Sequence, residues 1–184
     1  IAVDKQKVHA YIDDVYAHCA RTADIAEELA TSIPDFGFSK YIRSACLIHD
    51  IGKIAMASLD SGYLNFLDEA KKKELPRRVR FFVENEKFRV NHAILGALSC
   101  HYFQIFRDID QAILHHHEPF LLRGLNRNLH QLSSLICLAT NVSSNFMRIE
   151  KLNDPIISVW KGLEISDFPV DAKDLLVTVA KLAR

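Results

Sequence analysis

Residues 4–31 place apolar or small side chains at Val8, Ile12, Val15, Cys19, Thr22, Ala26 and Leu29. The intervals alternate between four and three, which describes one face of a long α-helix and no face of a strand. The same periodicity continues down the chain. Pro34 and Gly37 break the first helix, and residues 39–58 resume helical spacing with Gly52 as an interruption. "SLDSGYLNFLDEAKKKEL" reads as a further helix, capped by Asp60 or Ser61 and ended by Pro76. Helices are then expected from Pro76 to about Lys87 and over 91–105, 109–117 and 129–149. The tail from Pro155 to Arg184 should give one short helix and a final one at about 170–183. No run keeps period-two alternation and no hairpin signal joins two apolar stretches, so the chain is expected to be all-α.

Charge excludes little and favours little. Lys+Arg and Asp+Glu number 23 each, so nothing points to nucleic acid or to a membrane surface. No apolar run nears the ~20 residues of a membrane span. No N-terminal signal pattern is visible, and the chain opens on Ile1, which leaves an upstream segment open. Cys19, Cys46, Cys100 and Cys137 lie far apart in apolar, helix-like surroundings, as reduced core thiols of a cytoplasmic protein do. "KKK" at 71–73 and "RR" at 77–78 read as a solvated turn around Pro76, with a phosphate- or partner-binding patch as the alternative.

One stretch resists this bland reading. "ACLIHDIGKIAMAS", residues 45–58, sets His49 and Asp50 inside an apolar run. An unpaired buried carboxylate costs several kcal/mol or shifts its pKa strongly. Other histidines stand in comparable places. "AILHHHEP" carries His115, His116 and His117, which fan out by about 100° each on a helix. By itself that triplet suits an exposed helix end. His92 opens the apolar "NHAILGALS", with Gly96 one turn along the same face, where a missing side chain admits another backbone or a metal-bound group. By itself His92 suits a cap or a surface position. Together, imidazoles and a carboxylate on helices that share a core suit Zn, Fe or Mn. An Asp can bridge two such ions about 3.5–4 Å apart, and a dication would neutralise Asp50 in its apolar setting.

"HDIGK", 49–53, resembles the central motif of the HD superfamily of metal-dependent phosphohydrolases, which are all-helical. The order of His, His-Asp, His-xxx-Gly and His-His is also similar to the HD-GYP branch. The spacing from His49 to His92, and Glu84 eight residues before His92, resembles the HDOD signalling branch more closely. "VYAHCARTADIAEELA" looks like that family's first helix and makes His18 the first ligand. The resemblance covers roughly residues 10–150. It implies a single HD/HDOD-like helical bundle over 1–184, of about seven to nine helices, with residues 151–184 packed on it. It implies His18, His49, Asp50, His92, His116 and His117 as ligands of one or two divalent ions (Fe, Mn or Zn), with His9, His101, His115 and His130 outside the site. Three departures stand out. Arg89 occupies a place where the pattern usually has Gly. No Gly-Tyr-Pro segment follows the His pair. Asn141, in "LICLATNVSSNF", stands where the closing Asp is expected, which removes a negative charge from the site.

Two functional expectations follow from the resemblance. One is a signalling domain that binds a partner protein or a nucleotide with little or no turnover, without nucleic acid or membrane. The other is an active phosphohydrolase on a nucleotide or cyclic dinucleotide, with Asp50 bridging or orienting the nucleophile and Lys53 steadying phosphate charge.

Overall fold

The computed structural model describes residues 5–31, 33, 35–105 and 107–145. These form eight α-helices and one 3-10 turn, with no strand among the described residues. In order they are α1 (Lys5–Ala30), α2 (Ile42–Ile48), α3 (Ile51–Leu59), α4 (Gly62–Lys72), α5 (Arg77–Phe88), α6 (His92–Tyr102), α7 (Arg107–Leu114), the 3-10 turn Pro119–Leu122, and α8 (Arg127–Asn145). The helices expected beyond Pro155 lie outside the described residues.

The long α1 is the spine. It packs on α2, α3 and α8, while α6 packs between α3 and α7. The stripe expected on α1 is the buried one: Val8, Val15, Cys19, Thr22, Ala26 and Leu29 are covered, and Ile12 is partly covered. Two apolar clusters result. The larger joins the second half of α1 to α2, α7 and α8 around Ile42, Ile113, Leu132, Leu135 and Ile136. The smaller joins Val8 at the start of α1 to Met56 and Ala57 of α3 and Tyr63, Leu64 and Phe66 of α4. Each fully covered Leu or Ile stabilises the fold by about 1.5–3 kcal/mol. His18 sits on α1 between the residues that serve the two clusters.

The interruption expected at Gly52 within residues 39–58 falls two residues earlier. The chain breaks at His49–Asp50, with His49 ending α2 and Asp50 preceding α3 at φ −104°, ψ 12°. That sparsely populated backbone region is common at functional residues. The break has a cause: adjacent side chains on a continuous helix diverge by about 100°, so both could not face one centre.

Two glycines let α3 and α6 cross closely. A Cβ on Gly52 would lie 1.9 Å from the His92 carbonyl oxygen and 2.6 Å from the Gly96 nitrogen. A Cβ on Gly96 would lie 3.1 Å from Ile113 and 3.6 Å from the Gly52 nitrogen, so Gly96 admits another backbone. Arg89 ends α5 in the left-handed region at φ 59°, which explains why glycine suits that place.

Candidate metal centre

Six side chains from five segments meet in the seam between the two clusters. Asp50 is central and fully buried. Its Oδ2 lies 3.3 Å from His49 Nε2, 3.6 Å from His18 Nε2 and 2.5 Å from Lys53 Nζ. Its Oδ1 lies 3.5 Å from His92 Nε2 and 3.7 Å from His116 Nε2. His92 Nε2 and His117 Nε2 are 2.8 Å apart. Two three-residue groups could each hold a metal ion: His92, His116 and His117, and His18, His49 and Asp50.

The backbone and nearby side chains orient these rings. His49 Nδ1 donates to the Cys46 carbonyl at 2.7 Å, and His116 Nδ1 donates to the Ile113 carbonyl at 2.6 Å. Each ring therefore bonds its own preceding helical turn and turns Nε2 inward. Asn91 caps α6 by accepting from the Ile94 nitrogen at 3.0 Å, which fixes where that helix starts and hence where His92 points. Glu84 Oε1 accepts from His92 Nδ1 at 2.8 Å and from the His92 backbone nitrogen, while Glu84 Oε2 accepts from Tyr63 at 3.3 Å. His18 Nδ1 lies 3.2 Å from the Ser143 hydroxyl of α8. Phe81 stacks on His117 with ring centroids 4.4 Å apart.

This donor set fits a cation. Asp50 Oδ1 and His116 Nε2 are buried and have no hydrogen-bond partner among the described residues. The His116 proton is on Nδ1, so a lone pair faces a carboxylate oxygen. His92 is arranged alike, its Nδ1 proton held by Glu84. A positive charge between these atoms would satisfy both. Electrostatics separate His49 from the other imidazoles. Burial opposes ionisation of Asp50, yet His49 and Lys53 outweigh it and hold its carboxyl well below the usual range. Burial also opposes protonation of His49, but Asp50 lifts that imidazole to about 9. Burial lowers His18 to about 3, against the pull of Asp50, and likewise lowers His92, His116 and His117. Four neutral imidazoles around an anionic carboxylate are the protonation states that metal ligands require.

The expected site residues thus converge: His18, His49, Asp50, His92, His116 and His117. His9 is exposed, exposed His101 approaches Asp110 at 3.6 Å, and neither His115 nor His130 belongs to either group. Several details depart from expectation. The helix expected over 109–117 ends earlier: α7 stops at Leu114, and the following turn carries His116 inward at 0% exposure. Lys53 lies on Asp50 rather than free for a ligand. Asn141 donates to the Cys137 carbonyl of its own helix at 2.8 Å, and the neighbouring Thr140 hydroxyl is the α8 group that reaches His49, at 3.4 Å. The basic run is split in role. Lys71, Lys72, Lys73 and Arg78 are exposed, but Arg77 and Arg80 line the cavity of about 340 Å³ that opens onto Asp50, His92 and His117. From the sequence, Glu84 entered as a marker of the HDOD-like spacing and Arg77 as part of a basic turn with phosphate binding as the alternative, while Arg80 carried no role. The one further signal was their spacing with Phe81 on a single face of α5.

The profile of the family described as "HD domain" matches residues 15–143. No curated protein matches the chain. Two solved structures share the fold. One is a Shewanella amazonensis SB2B protein provisionally described as a phosphohydrolase, with TM-score 0.71, 16% identity and coverage of 92% of this chain and 59% of that one. The other is an HDOD domain protein of unknown function from Geobacter sulfurreducens, with TM-score 0.62, 18% identity and coverage of 91% and 57%. The chain thus spans under two thirds of each of those structures.

Proposed function

The chain belongs to the HD-domain family, and on that premise we propose an HDOD-like signalling domain that holds one divalent cation and a phosphorylated ligand, with little or no turnover. The observation that carries this is the buried Asp50 Oδ1, without a hydrogen-bond donor and faced by two imidazole lone pairs. His92, His116, His117 and Asp50 would hold the ion, and Fe, Mn or Zn suits such ligands. When bound, the ion supplies Lewis-acid polarisation of a phosphoryl oxygen. One ion is favoured because Lys53 already neutralises Oδ2, so a second ion beside His18 and His49 would have to displace an ammonium group.

The engagement of most cavity carboxylates supports slow turnover. Hydrolysis needs a group to accept a proton from the attacking water. Of the carboxylates on the cavity, Asp50 bonds Lys53, Glu84 bonds His92 and Tyr63, Asp68 bonds Lys7, and Asp14 is exposed at the rim. Position 141 offers a neutral amide. Four buried cysteines without disulfides suit a reducing compartment.

Elemental analysis of protein purified without added metal tests the proposal, together with hydrolysis of a generic phosphate ester. About one ion per chain is expected, with turnover at background. An absence of metal, or equal metal content in wild type and His116→Ala, would rule the site out. The second reading, an active phosphohydrolase, is favoured by the basic groups on the same cavity. Metal-dependent turnover that vanishes in His49→Ala would establish it instead.

A further inference from the structure

We propose that Arg77 and Arg80 make this cavity select phosphomonoester dianions over phosphodiesters. The proposal rests on the reading of the cavity as a phosphate site and names its ligand class.

The two arginines are one turn apart on α5 and line the same cavity as Asp50, Lys53, His92 and His117. Arg77 Nη1 and Arg80 Nε are buried and have no hydrogen-bond partner among the described residues. No described carboxylate comes within ion-pair distance of either guanidinium, although ion pairs occur elsewhere around the wall. The acidic neighbours are engaged: Asp50 with Lys53, Glu84 with His92, and Asp68 with Lys7. Asp14 and Lys71, of opposite sign, are exposed at the rim. Burying guanidinium nitrogens without an acceptor is costly, so the arrangement calls for an anion. Burial lowers Arg77 from the ordinary guanidinium value, which adds to the same demand.

The charge count selects the anion. Two uncompensated guanidinium groups match a monoester, which carries about −1.5 to −2 at neutral pH on three terminal oxygens. A diester offers one charge and two such oxygens. Planar guanidinium forks bind terminal phosphate oxygens in pairs, and a diester gives one of these positions to an alkyl group. Tyr11, Val15, Leu67 and Phe81 on the same wall supply an apolar face for the organic part of the ligand.

Calorimetric titration of the protein with methyl phosphate and with dimethyl phosphate tests this. Wild type should bind methyl phosphate at least about tenfold more tightly, the scale of one charge-assisted contact. Arg77→Gln should bring the ratio close to one with metal content unchanged. Arg80→Gln reads the same ratio independently if the first variant fails to fold. Equal binding of both esters by wild type, binding of neither, or a ratio that survives in the variants overturns the proposal. Failure of the underlying reading looks different. Metal-free wild type that still prefers methyl phosphate removes the cation and keeps the arginine selectivity, whereas metal-loaded protein that binds both esters alike removes the selectivity only.

Discussion

His92 owes its orientation to Glu84. One carboxylate oxygen accepts both the backbone and the ring N–H of His92, and the other accepts the Tyr63 hydroxyl. This holds the ring with its Nε2 lone pair toward Asp50. Replacing Glu84 by Gln removes the charge that anchors that tautomer, so divalent-metal affinity should fall about 10–100-fold, measured by competition with a chromophoric chelator. An unchanged affinity would exclude Glu84 as a positioning group. Asn141→Asp works in the opposite direction. A carboxylate cannot donate to the Cys137 carbonyl, so it loses the intrahelical bond and adds a negative charge to α8, one residue along from the Thr140 that reaches His49. Metal affinity should rise at least about tenfold in the same competition. The six converging side chains were legible because "HDIGK" and the paired histidines are chemically odd in apolar runs. Arg77 was not, because a basic pair beside a proline looks alike whether the turn is solvated or lines a cavity. Only the third dimension shows that the guanidinium is covered.

At the scale of elements, the crossing of α3 over α6 decides whether the site forms. Gly52 brings backbone against backbone, and no rotamer change could relieve a methyl placed 1.9 Å from the His92 carbonyl oxygen. Gly52→Ala should therefore force the two helices apart, with a loss of more than about 3 kcal/mol. Urea unfolding checks this, and a change under about 1 kcal/mol would show that the crossing is slack. The order and type of the helices were readable from periodicity, since tertiary packing and local propensity agree along most of the chain. The exact place of the break, at His49–Asp50 rather than at Gly52, was not. Gly52 marks a weak point in the helix, and the shift of the break onto His49–Asp50 comes from a demand that only the assembled centre makes. The end of α7 has the same origin: His116 must reach inward, so the helix stops one turn sooner than its apolar pattern suggests.

For the whole molecule, a polar seam between two apolar clusters links stability to pH. In the metal-free chain, burial keeps His18, His92, His116 and His117 neutral below the ordinary imidazole value. As pH falls below about 6.5, the unfolded chain binds protons there that the folded chain refuses. Stability then drops with acid, by at most about 1.4 kcal/mol per pH unit for each imidazole. His49, raised to about 9, acts in the other direction. Its contribution is complete below about 6.5 and is lost as pH rises toward 9. The urea midpoint should therefore peak near pH 6–7 and fall on both sides; a midpoint still rising at pH 5 would contradict the buried-neutral assignment. The seam has a further consequence, in the order of events during folding. The α3–α4 cluster closes over short chain distances, but the larger cluster needs α1 and α8 together, and His18 finds Ser143 across 125 residues. Loops of that length close late. The proposed ligands Asp50, His92, His116 and His117 come from the α2–α3 junction, α6 and the turn after α7, so a cation would bind once those segments have packed and would belong to the native state rather than to the folding transition state. Added metal should leave the refolding rate unchanged in stopped-flow mixing and slow unfolding alone, making the ion a lock on the finished molecule and not a template for building it.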